Sequence, residues 1–200
     1  GILWGALTNC GQACASIESI YCPESLHKEL SDRCARLIKS LPQGSLGTMN
    51  TIFQREKVLG QVEDALDKGA TIVAQSPVIP TNNPYVIPAV FLEGVSDEAR
   101  LVKEETFGPV LMIRPYRDID AVIDEVNGGP YGLTASIWSK DRARARQLAQ
   151  RIDTGVVTIN DHLITPGFPE APWFGRKESG LGFSMSALSL MGFSKMRYVF

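Results

Sequence analysis

The sequence predicts an α/β fold, a mostly parallel sheet flanked by helices, on two observations. Amphipathic segments of helical period alternate with short apolar, β-branched segments almost throughout the 200 residues. Such alternation is typical of parallel sheets covered by helices. The composition, with 44% hydrophobic and 21% charged residues, is that of a globular domain with a core of ordinary size.

Helices are predicted where apolar side chains recur at a spacing of three and four residues. In the first of them, Pro23 stands at a favoured helix start, and Leu26, Cys34 and Leu37 belong to the apolar stripe. Glycine marks the end of two others. The four predicted helices are 23–41, 53–68, 119–126 and the polar segment 141–152.

Strands are predicted where β-branched and apolar residues follow one another without helical period. The five segments are 71–74, 86–91, 109–115, 133–138 and 155–159, and the last is expected to be buried. The segment 165–176 is rich in Pro and Gly and is predicted to be a long loop. The tail 193–200 alternates polar and apolar residues from Lys195 to Tyr198, through Met196 and Arg197, which predicts one more strand, set apart from the rest.

Charge and cysteine content argue against several function classes. A formal net charge of −2 gives no reason to expect nucleic acid or a membrane surface as a partner. No apolar run approaches the roughly 20 residues of a membrane helix. The four cysteines form no C-x-x-C pair and only two histidines are present, so we expect no metal site. We expect reduced thiols in a cytoplasmic protein that acts on a small molecule.

The segment 9–16, NCGQACAS, contains the candidate nucleophile, Cys14. A turn containing glycine before a helix-compatible stretch predicts that Cys14 lies near a helix start, where the helix dipole and free N–H groups favour the thiolate. The same N–H groups would hold an oxyanion once the thiolate attacks a carbonyl. From these residues alone, the alternative that Cys14 is a small buried hydrophobic residue stays open.

Five segments, in order, resemble those of the NAD(P)-dependent aldehyde dehydrogenase family. They are N-x-G-Q-x-C at 9–14, KEETFGPV at 103–110, N-x-x-x-Y-G-L at 127–133, GVVTIN at 155–160 and PWFGRKESG at 172–180. Singly, each has a plainer interpretation, such as a solvated acidic pair at 104–105 or core packing of Phe107. Five in order cover nearly the whole chain, so the resemblance extends to the predicted fold, that of the family's catalytic domain.

The resemblance implies that Cys14 attacks the aldehyde carbon, with Asn9, Gly11, Gln12 and Asn160 supporting the active site. The expected reaction is oxidation of the aldehyde to a carboxylic acid through a thiohemiacetal and a thioester. An acylating relative would instead transfer the acyl group to coenzyme A.

The resemblance also assigns cofactor and substrate contacts. Glu105 would bind the nicotinamide-ribose hydroxyls of NAD or NADP, and Phe107 would pack against that end of the cofactor. Phe168 and Trp173 would line the substrate channel, where they favour a medium-sized apolar or aromatic aldehyde.

Two other function classes stay open. A Cys–His hydrolase would use Cys14 and His162, which would have to lie within hydrogen-bond reach. A non-catalytic oligomerisation module is the other, since a fold alone does not establish activity. Two departures from the family pattern keep the non-catalytic module open. Ser19 stands where the family commonly has Arg, and Phe174 stands in place of a glycine.

In intact family members a cofactor-binding domain precedes these segments. We therefore expect 1–192 to be the catalytic domain, 193–200 to be an oligomerisation strand, and the cofactor-binding domain to be absent from this chain. On this interpretation the chain is a fragment that folds but does not oxidise aldehydes alone. The intact enzyme is expected to be a homo-oligomer, a dimer or a tetramer.

Overall fold

The computed structural model describes residues 1–164, 167–195 and 197–200. It divides the chain into two compact units, Gly1–Ile119 and Asp120–Phe200. Thr165 and Pro166 of the predicted loop, and Met196 of the predicted tail strand, lie outside the described residues. Among the helices of the described part, none combines the length and the apolar character needed to cross a membrane.

The first unit alternates helices and strands around a four-stranded sheet. Its elements are α1 (Ile2–Leu7), a 3₁₀ helix (Thr8–Gly11), β1 (Ser19–Pro23), α2 (Glu24–Lys39), α3 (Ile52–Asp67), β2 (Thr71–Gln75), β3 (Val90–Glu93), α4 (Arg100–Lys103) and β4 (Val110–Tyr116). The strand order is β1-β4-β3-β2. Strand β4 is parallel to β1 and β3, and β2 is antiparallel to β3. The predicted α/β fold with a mostly parallel sheet is confirmed.

Both faces of the central strands β3 and β4 are buried. Val90 and Leu92 belong to one apolar cluster with Val58 of α3, whereas Phe91 belongs to a second cluster with Ile38 of α2. Successive side chains of a strand point to opposite faces. A continuous apolar run can therefore serve two layers, with α3 covering one face and α2 the other.

The two long helices are confirmed, but the buried face of α2 differs from the predicted stripe. Leu26 and Leu37, predicted to face the core, are 52% and 48% exposed. The buried face is formed by Cys34, Ala35 and Ile38, at the spacing of three and four residues that one helix face requires. The two leucines lie outside this face.

Strand β3 begins at Val90, later than the predicted start at 86. Pro88 has no N–H to donate to a neighbouring strand, which disfavours sheet pairing there. The residue after β2 and the residue before β3 are still hydrogen-bonded to each other. Ser76 N–H donates to the Ala89 carbonyl at 3.0 Å, and Ser76 Oγ accepts from Ala89 N–H at 2.9 Å. The Ser76 hydroxyl therefore replaces a backbone acceptor where the pairing of β2 with β3 would continue.

The second unit is built on two small sheets. Its elements are α5 (Ile119–Gly128, which starts at the last residue of the first unit), β5 (Tyr131–Gly132), β6 (Thr134–Ile137), α6 (Arg142–Ala149), β7 (Val156–Ile159), β8 (Arg176–Lys177) and α7 (Ser186–Gly192). Strand β6 is parallel to β7, and β5 is antiparallel to β8. The prediction that 155–159 is buried is wrong, since every residue of β7 is partly exposed. Among the described residues β7 pairs with β6 alone, whereas β3 and β4 are the inner strands of a four-stranded sheet.

The tail shows no strand among its described residues, 193–195 and 197–200. A strand needs a neighbouring strand to pair with, and no strand of the described part of the chain pairs with these residues. The N–H groups of Phe193 and Ser194 donate instead to the carbonyls of Leu190 and Met191 in α7. Phe193, Tyr198 and Phe200 are exposed. An oligomerisation strand at 193–200 therefore stays a prediction, which pairing with another subunit would test.

Candidate functional site

Cys14 lies in an exposed turn between the 3₁₀ helix and β1, so the prediction that it lies near a helix start is wrong. Asn9, Cys10 and Gly11 adopt left-handed φ values of 53°, 59° and 69°, and such a run cannot continue a right-handed helix. Within the described residues, the backbone N–H of Cys14 makes no hydrogen bond. It is therefore available to an oxyanion without a helix dipole behind it.

Two side-chain amides hold this turn in shape. Asn9 Nδ2 donates to the Gln12 carbonyl at 2.9 Å, and Gln12 Nε2 donates to the carbonyls of Asn9 at 3.2 Å and Thr48 at 3.0 Å. Gln12 Oε1 accepts from Asn50 N–H at 2.7 Å. Asn9 and Gln12 thus tie the turn to itself and to the backbone of Thr48 and Asn50.

The first and second motif segments meet at Gly11. A Cβ on Gly11 would lie 2.1 Å from the carbonyl oxygen of Gly108 and 3.0 Å from the nitrogen of Pro109. A Cβ on Gly108 would in turn lie 2.5 Å from Cγ2 of Val58. Only glycine allows this approach, and the contact brings the turn that carries Cys14 against the segment that carries Glu105 and Phe107.

The segment 105–107 alternates exposed and buried side chains. Glu105 is exposed, Thr106 is buried and Phe107 is half-buried with a left-handed φ of 51°. Gln54 Nε2, on α3, donates to the carbonyl oxygens of Thr106 at 2.7 Å and Phe107 at 3.3 Å. A non-glycine residue in this region is uncommon and is kept there by its surroundings.

The neighbouring Glu104 is a partly exposed carboxylate that is held by two side chains. Arg100 Nε and Nη2 donate to its carboxylate at 2.9 and 3.0 Å, and Gln61 Nε2 donates to it at 3.2 Å. The hydrogen bond from Arg100 lowers the pKa of Glu104. Gln61 Nε2 also lies 3.5 Å from the Glu105 carbonyl oxygen. The network of Arg100, Glu104 and Gln61 therefore supports the backbone of Glu105.

Glu18 also contacts the segment and was not selected from the sequence. Its carboxylate accepts from Thr106 N–H at 3.0 and 2.9 Å and from Phe107 N–H at 2.9 Å. Burial raises the pKa of Glu18 and the charge of Glu105 raises it further, against the backbone hydrogen bonds and Lys57, which lower it. The available signal was a carboxylate next to the apolar Ile17 at the edge of a buried strand, an uncommon place for a charge.

A cavity of about 460 Å³ opens beside these two motif segments. Phe107 forms part of its wall together with the amides of Asn9 and Gln12, whereas Cys14 and Glu105 do not line it. Its remaining lining residues are Thr48, Met49, Asn50 and Tyr85. A volume of this size is in the range of small-molecule sites.

The four thiols differ sharply in accessibility. Cys14 is exposed, whereas Cys10, Cys22 and Cys34 are at most 3% exposed and all four are free. Burial raises the pKa of Cys10 to about 11. Burial also raises the pKa of Cys22 and of Cys34. The alternative that Cys14 is a buried hydrophobic residue is therefore wrong.

Alkylation by iodoacetamide at neutral pH is expected to modify Cys14 at least ~100-fold faster than Cys10, because the reactive form is an accessible thiolate. Modification of Cys10 should accelerate as the pH rises towards its pKa of about 11. Peptide mapping over time measures both rates, and the Cys14→Ala chain is the control for modification of the buried thiols. Preferential modification of Cys22 or Cys34 would contradict this order.

Asn160, Phe168 and Trp173 belong to the second unit. Asn160 has a left-handed φ of 58° and pairs with the backbone of Ser139, accepting from its N–H at 2.7 Å and donating to its carbonyl at 2.8 Å. Phe168 is exposed, and Trp173 exchanges two backbone hydrogen bonds of 2.8 Å with Ser184. The described contacts of Asn160 are thus structural.

The last three motif segments meet within the second unit. A Cβ on Gly155 would lie 1.7 Å from the carbonyl oxygen of Phe174, and Ser179 Oγ accepts from Gly132 N–H at 2.9 Å. Phe174 is not among the residues of positive φ, so its position does not require glycine. Its ring packs against Phe183 with centroids 5.4 Å apart.

The motif segments thus form one contact group in each unit, and their order matches a known family. The sequence profile of the aldehyde dehydrogenase family matches residues 1–199. The chain belongs to the aldehyde dehydrogenase family.

Relatives of this chain include enzymes named for different aldehydes. It is 36% identical to a 4,4′-diapolycopene aldehyde oxidase of Methylomonas sp. over 96% of this chain and 36% of that protein. It is 33% identical to a succinate-semialdehyde dehydrogenase [NADP(+)] of Deinococcus radiodurans over 98% of this chain and 42% of that protein. The chain thus spans 36–42% of the length of these curated relatives.

Among solved structures, the fold matches the NAD+ complex of an aldehyde dehydrogenase from Bacillus cereus. The TM-score is 0.90 at 26% identity, covering 98% of this chain and 40% of that one. The aldehyde dehydrogenase fold that the sequence predicts is therefore confirmed.

Proposed function

We propose that Cys14 is the nucleophile of an NAD(P)-dependent aldehyde dehydrogenase that oxidises an aldehyde to a carboxylic acid. The observation that carries this proposal is the contact between Gly11 and Gly108. It joins, within one compact unit, the turn with the exposed thiol and the segment with Glu105 and Phe107. A nucleophile and a cofactor-binding segment must be neighbours if hydride is to leave the carbon bound to sulfur.

The residues around Phe107 fit a nicotinamide cofactor. Glu105 is exposed and its carboxylate can accept hydrogen bonds from ribose hydroxyls, while Phe107 forms an aromatic wall of the 460 Å³ cavity. One relative is named for NADP(+) and one similar structure contains NAD+. When bound, the cofactor supplies the hydride acceptor. We propose that Glu105 and Phe107 hold its nicotinamide end.

The proposed reaction begins at the Cys14 thiolate. A C–S bond forms at the aldehyde carbon, and the carbonyl π electrons move to oxygen as an alkoxide. The N–H of Cys14, which makes no hydrogen bond within the described residues, donates to that oxygen and stabilises the charge that develops on it. The alkoxide then re-forms the C=O bond as hydride leaves the carbon, giving a thioester on Cys14.

Water completes the proposed cycle. Its oxygen attacks the thioester carbon, the C–S bond breaks, and the acid and the Cys14 thiol are released. We propose water as the acyl acceptor, with transfer to coenzyme A as the alternative. The identity of the aldehyde depends on the substrate channel, for which Phe168 and Trp173 stay proposed contacts.

The test is to trap the acyl group on Cys14. The whole protein is mixed with an aldehyde and NAD or NADP, quenched in acid, and mapped by peptide mass, while absorbance follows the reduced cofactor. The expected result is acylated Cys14 only when the cofactor is present, because the thioester requires loss of hydride. Acylation of a different residue, or cofactor-independent acylation by the aldehyde, would contradict the proposal.

An ester substrate without cofactor separates this function from the Cys–His hydrolase. A hydrolase would turn over the ester and lose that activity on His162→Ala, whereas the proposed dehydrogenase needs no such pair. A requirement for His162 in ester turnover, combined with no cofactor reduction by any aldehyde, would support the hydrolase instead.

A further inference from the structure

Glu18 places a carboxylate where neutral acceptors usually suffice. It accepts three hydrogen-bond contacts of 2.9–3.0 Å from two consecutive backbone N–H groups, those of Thr106 and Phe107. A carboxylate is an acceptor with two oxygens, so it can pair with both donors at once. Bonds of this kind to an ionised acceptor are about twice as strong as neutral ones.

The same two residues are held from their other side by Gln54. Its Nε2 donates to the carbonyl oxygens of Thr106 and Phe107 at 2.7 and 3.3 Å. Glu18 therefore holds the N–H groups and Gln54 the carbonyl groups of one short segment. Phe107 has a φ of 51° in this segment, a conformation that a phenylalanine adopts only when its surroundings enforce it.

Glu18 also belongs to the chain that follows Cys14. Glu18 is the fourth residue after Cys14. Strand β1 begins at the next residue, Ser19, whose partner in β4 is Met112. The sheet thus fixes the backbone of Glu18. The hydrogen bond that Phe107 N–H donates to Glu18 consequently links the chain next to the Cys14 turn to the segment beside the cavity. This link is independent of the contact between Gly11 and Gly108.

We infer that Glu18 is a positioning residue, which holds the backbone of Glu105–Phe107 in the conformation that binds the nicotinamide end of the cofactor. This inference rests on the proposed function. Glu18 acts through Phe107 and Glu105 and takes no part in bond making at Cys14. Its effect should therefore appear in the Michaelis constant for the cofactor rather than in the reactivity of the thiol.

The electrostatics of Glu18 support a role other than stability. Burial and the facing carboxylate of Glu105 raise the pKa of Glu18, and Lys57 and the two N–H groups lower it less. A raised pKa in the folded state means that the contribution of Glu18 to the free energy of unfolding is largest below the ordinary carboxyl value. It is lost as the pH rises through the folded value. At neutral pH, replacing Glu18 with the uncharged glutamine should therefore not lower the free energy of unfolding.

Glu18→Gln is the main test, with Glu29→Gln on the exposed face of α2 as the matched control. In the 200-residue chain, we expect Glu18→Gln to speed hydrogen exchange of the Thr106 and Phe107 amides by about tenfold or more, the order of one charge-assisted bond. The Leu111 and Ile113 amides in β4 should not change. The urea midpoint at neutral pH should be no lower than that of wild type, and the rate of Cys14 alkylation should be unchanged.

In the whole protein, Glu18→Gln should raise the Michaelis constant for NAD or NADP by about tenfold with kcat within about threefold. Glu18→Asp, which keeps the carboxylate, should restore part of that loss, and Glu29→Gln should match wild type. If Glu18→Gln does not fold, Glu18→Asp is the deciding variant. We then expect smaller increases in the exchange rate of the Thr106 and Phe107 amides and in the Michaelis constant for the cofactor.

Two outcomes overturn the inference. One is unchanged exchange at Thr106 and Phe107. The other is faster exchange with an unchanged Michaelis constant for the cofactor, which would make Glu18 structural only. Failure of the proposed function is distinguishable, because it appears as absence of cofactor reduction by the wild-type whole protein.

Discussion

Replacing Cys14 with alanine is expected to lower aldehyde oxidation by the whole protein on the order of 10⁴-fold or more. The proposed reaction runs through two covalent species on this sulfur, so no partial route survives its removal. Cys14 is exposed, and an alanine in its place removes no core contact. The loss should therefore appear in kcat with the unfolding midpoint unchanged. Steady-state kinetics with urea unfolding of the same samples measures both.

Cys34→Ala is the control for loss of a thiol. Cys34 is buried in the cluster of α2 and the sheet, away from the motif segments, so its removal should cost some stability and leave turnover near that of wild type. Turnover by Cys14→Ala within about tenfold of wild type would show that the sulfur is not the nucleophile. The family assignment would stand, since it does not depend on this residue alone.

Replacing Gly11 with alanine is expected to destabilise the first unit by roughly 2–5 kcal/mol, combining the left-handed penalty with overpacking. The new Cβ would lie 2.1 Å from the Gly108 carbonyl oxygen. That oxygen belongs to the backbone, so no rotamer change relieves the clash. The Cys14 turn and the 105–107 segment must then separate. Urea unfolding measures the loss of stability, and aldehyde turnover should fall with it.

Gly47→Ala isolates the contribution of the close approach. Gly47 has a φ of 78°, similar to the 69° of Gly11, but a Cβ there would meet nothing within 4 Å. It should therefore cost only the penalty of the left-handed conformation, about 1–2 kcal/mol. An equal loss of stability for the two alanine variants would mean that the Gly11–Gly108 contact yields without cost. The proposed coupling of the two motif segments would then be wrong.

Much of the fold could be predicted because its signals are local. Pro23 and the period of 23–41 predicted α2, and Gly69 marked the end of α3, since caps and hydrophobic spacing act within one element. The faces were harder to predict. Leu26 and Leu37 are more apolar than Cys34 and Ala35, yet the smaller residues face the sheet, because packing between layers decides which side chains fit.

The candidate site was also predictable only where its signals are local. Cys14 could be selected from N-x-G-Q-x-C, a short pattern of residue types that is independent of the backbone. The environment of Cys14 could not be predicted, because three consecutive left-handed residues ending at Gly11 turn the chain away from a helix. Glycine and asparagine tolerate that conformation, but only contact with Gly108 requires it. Glu18 carried only a weak local signal, since its partners lie 88 and 89 residues away along the chain.

The sequence by itself determined the order of helices and strands, the five motif segments and the choice of Cys14, because each depends on residues close together in the chain. Only the tertiary structure decided that the first two segments touch at Gly11 and Gly108, that Gln54 and Glu18 hold Phe107 from opposite sides, and that three of the four thiols are buried. Those properties arise from contacts across tens of residues. Such contacts form only when the sheet and its helices pack together.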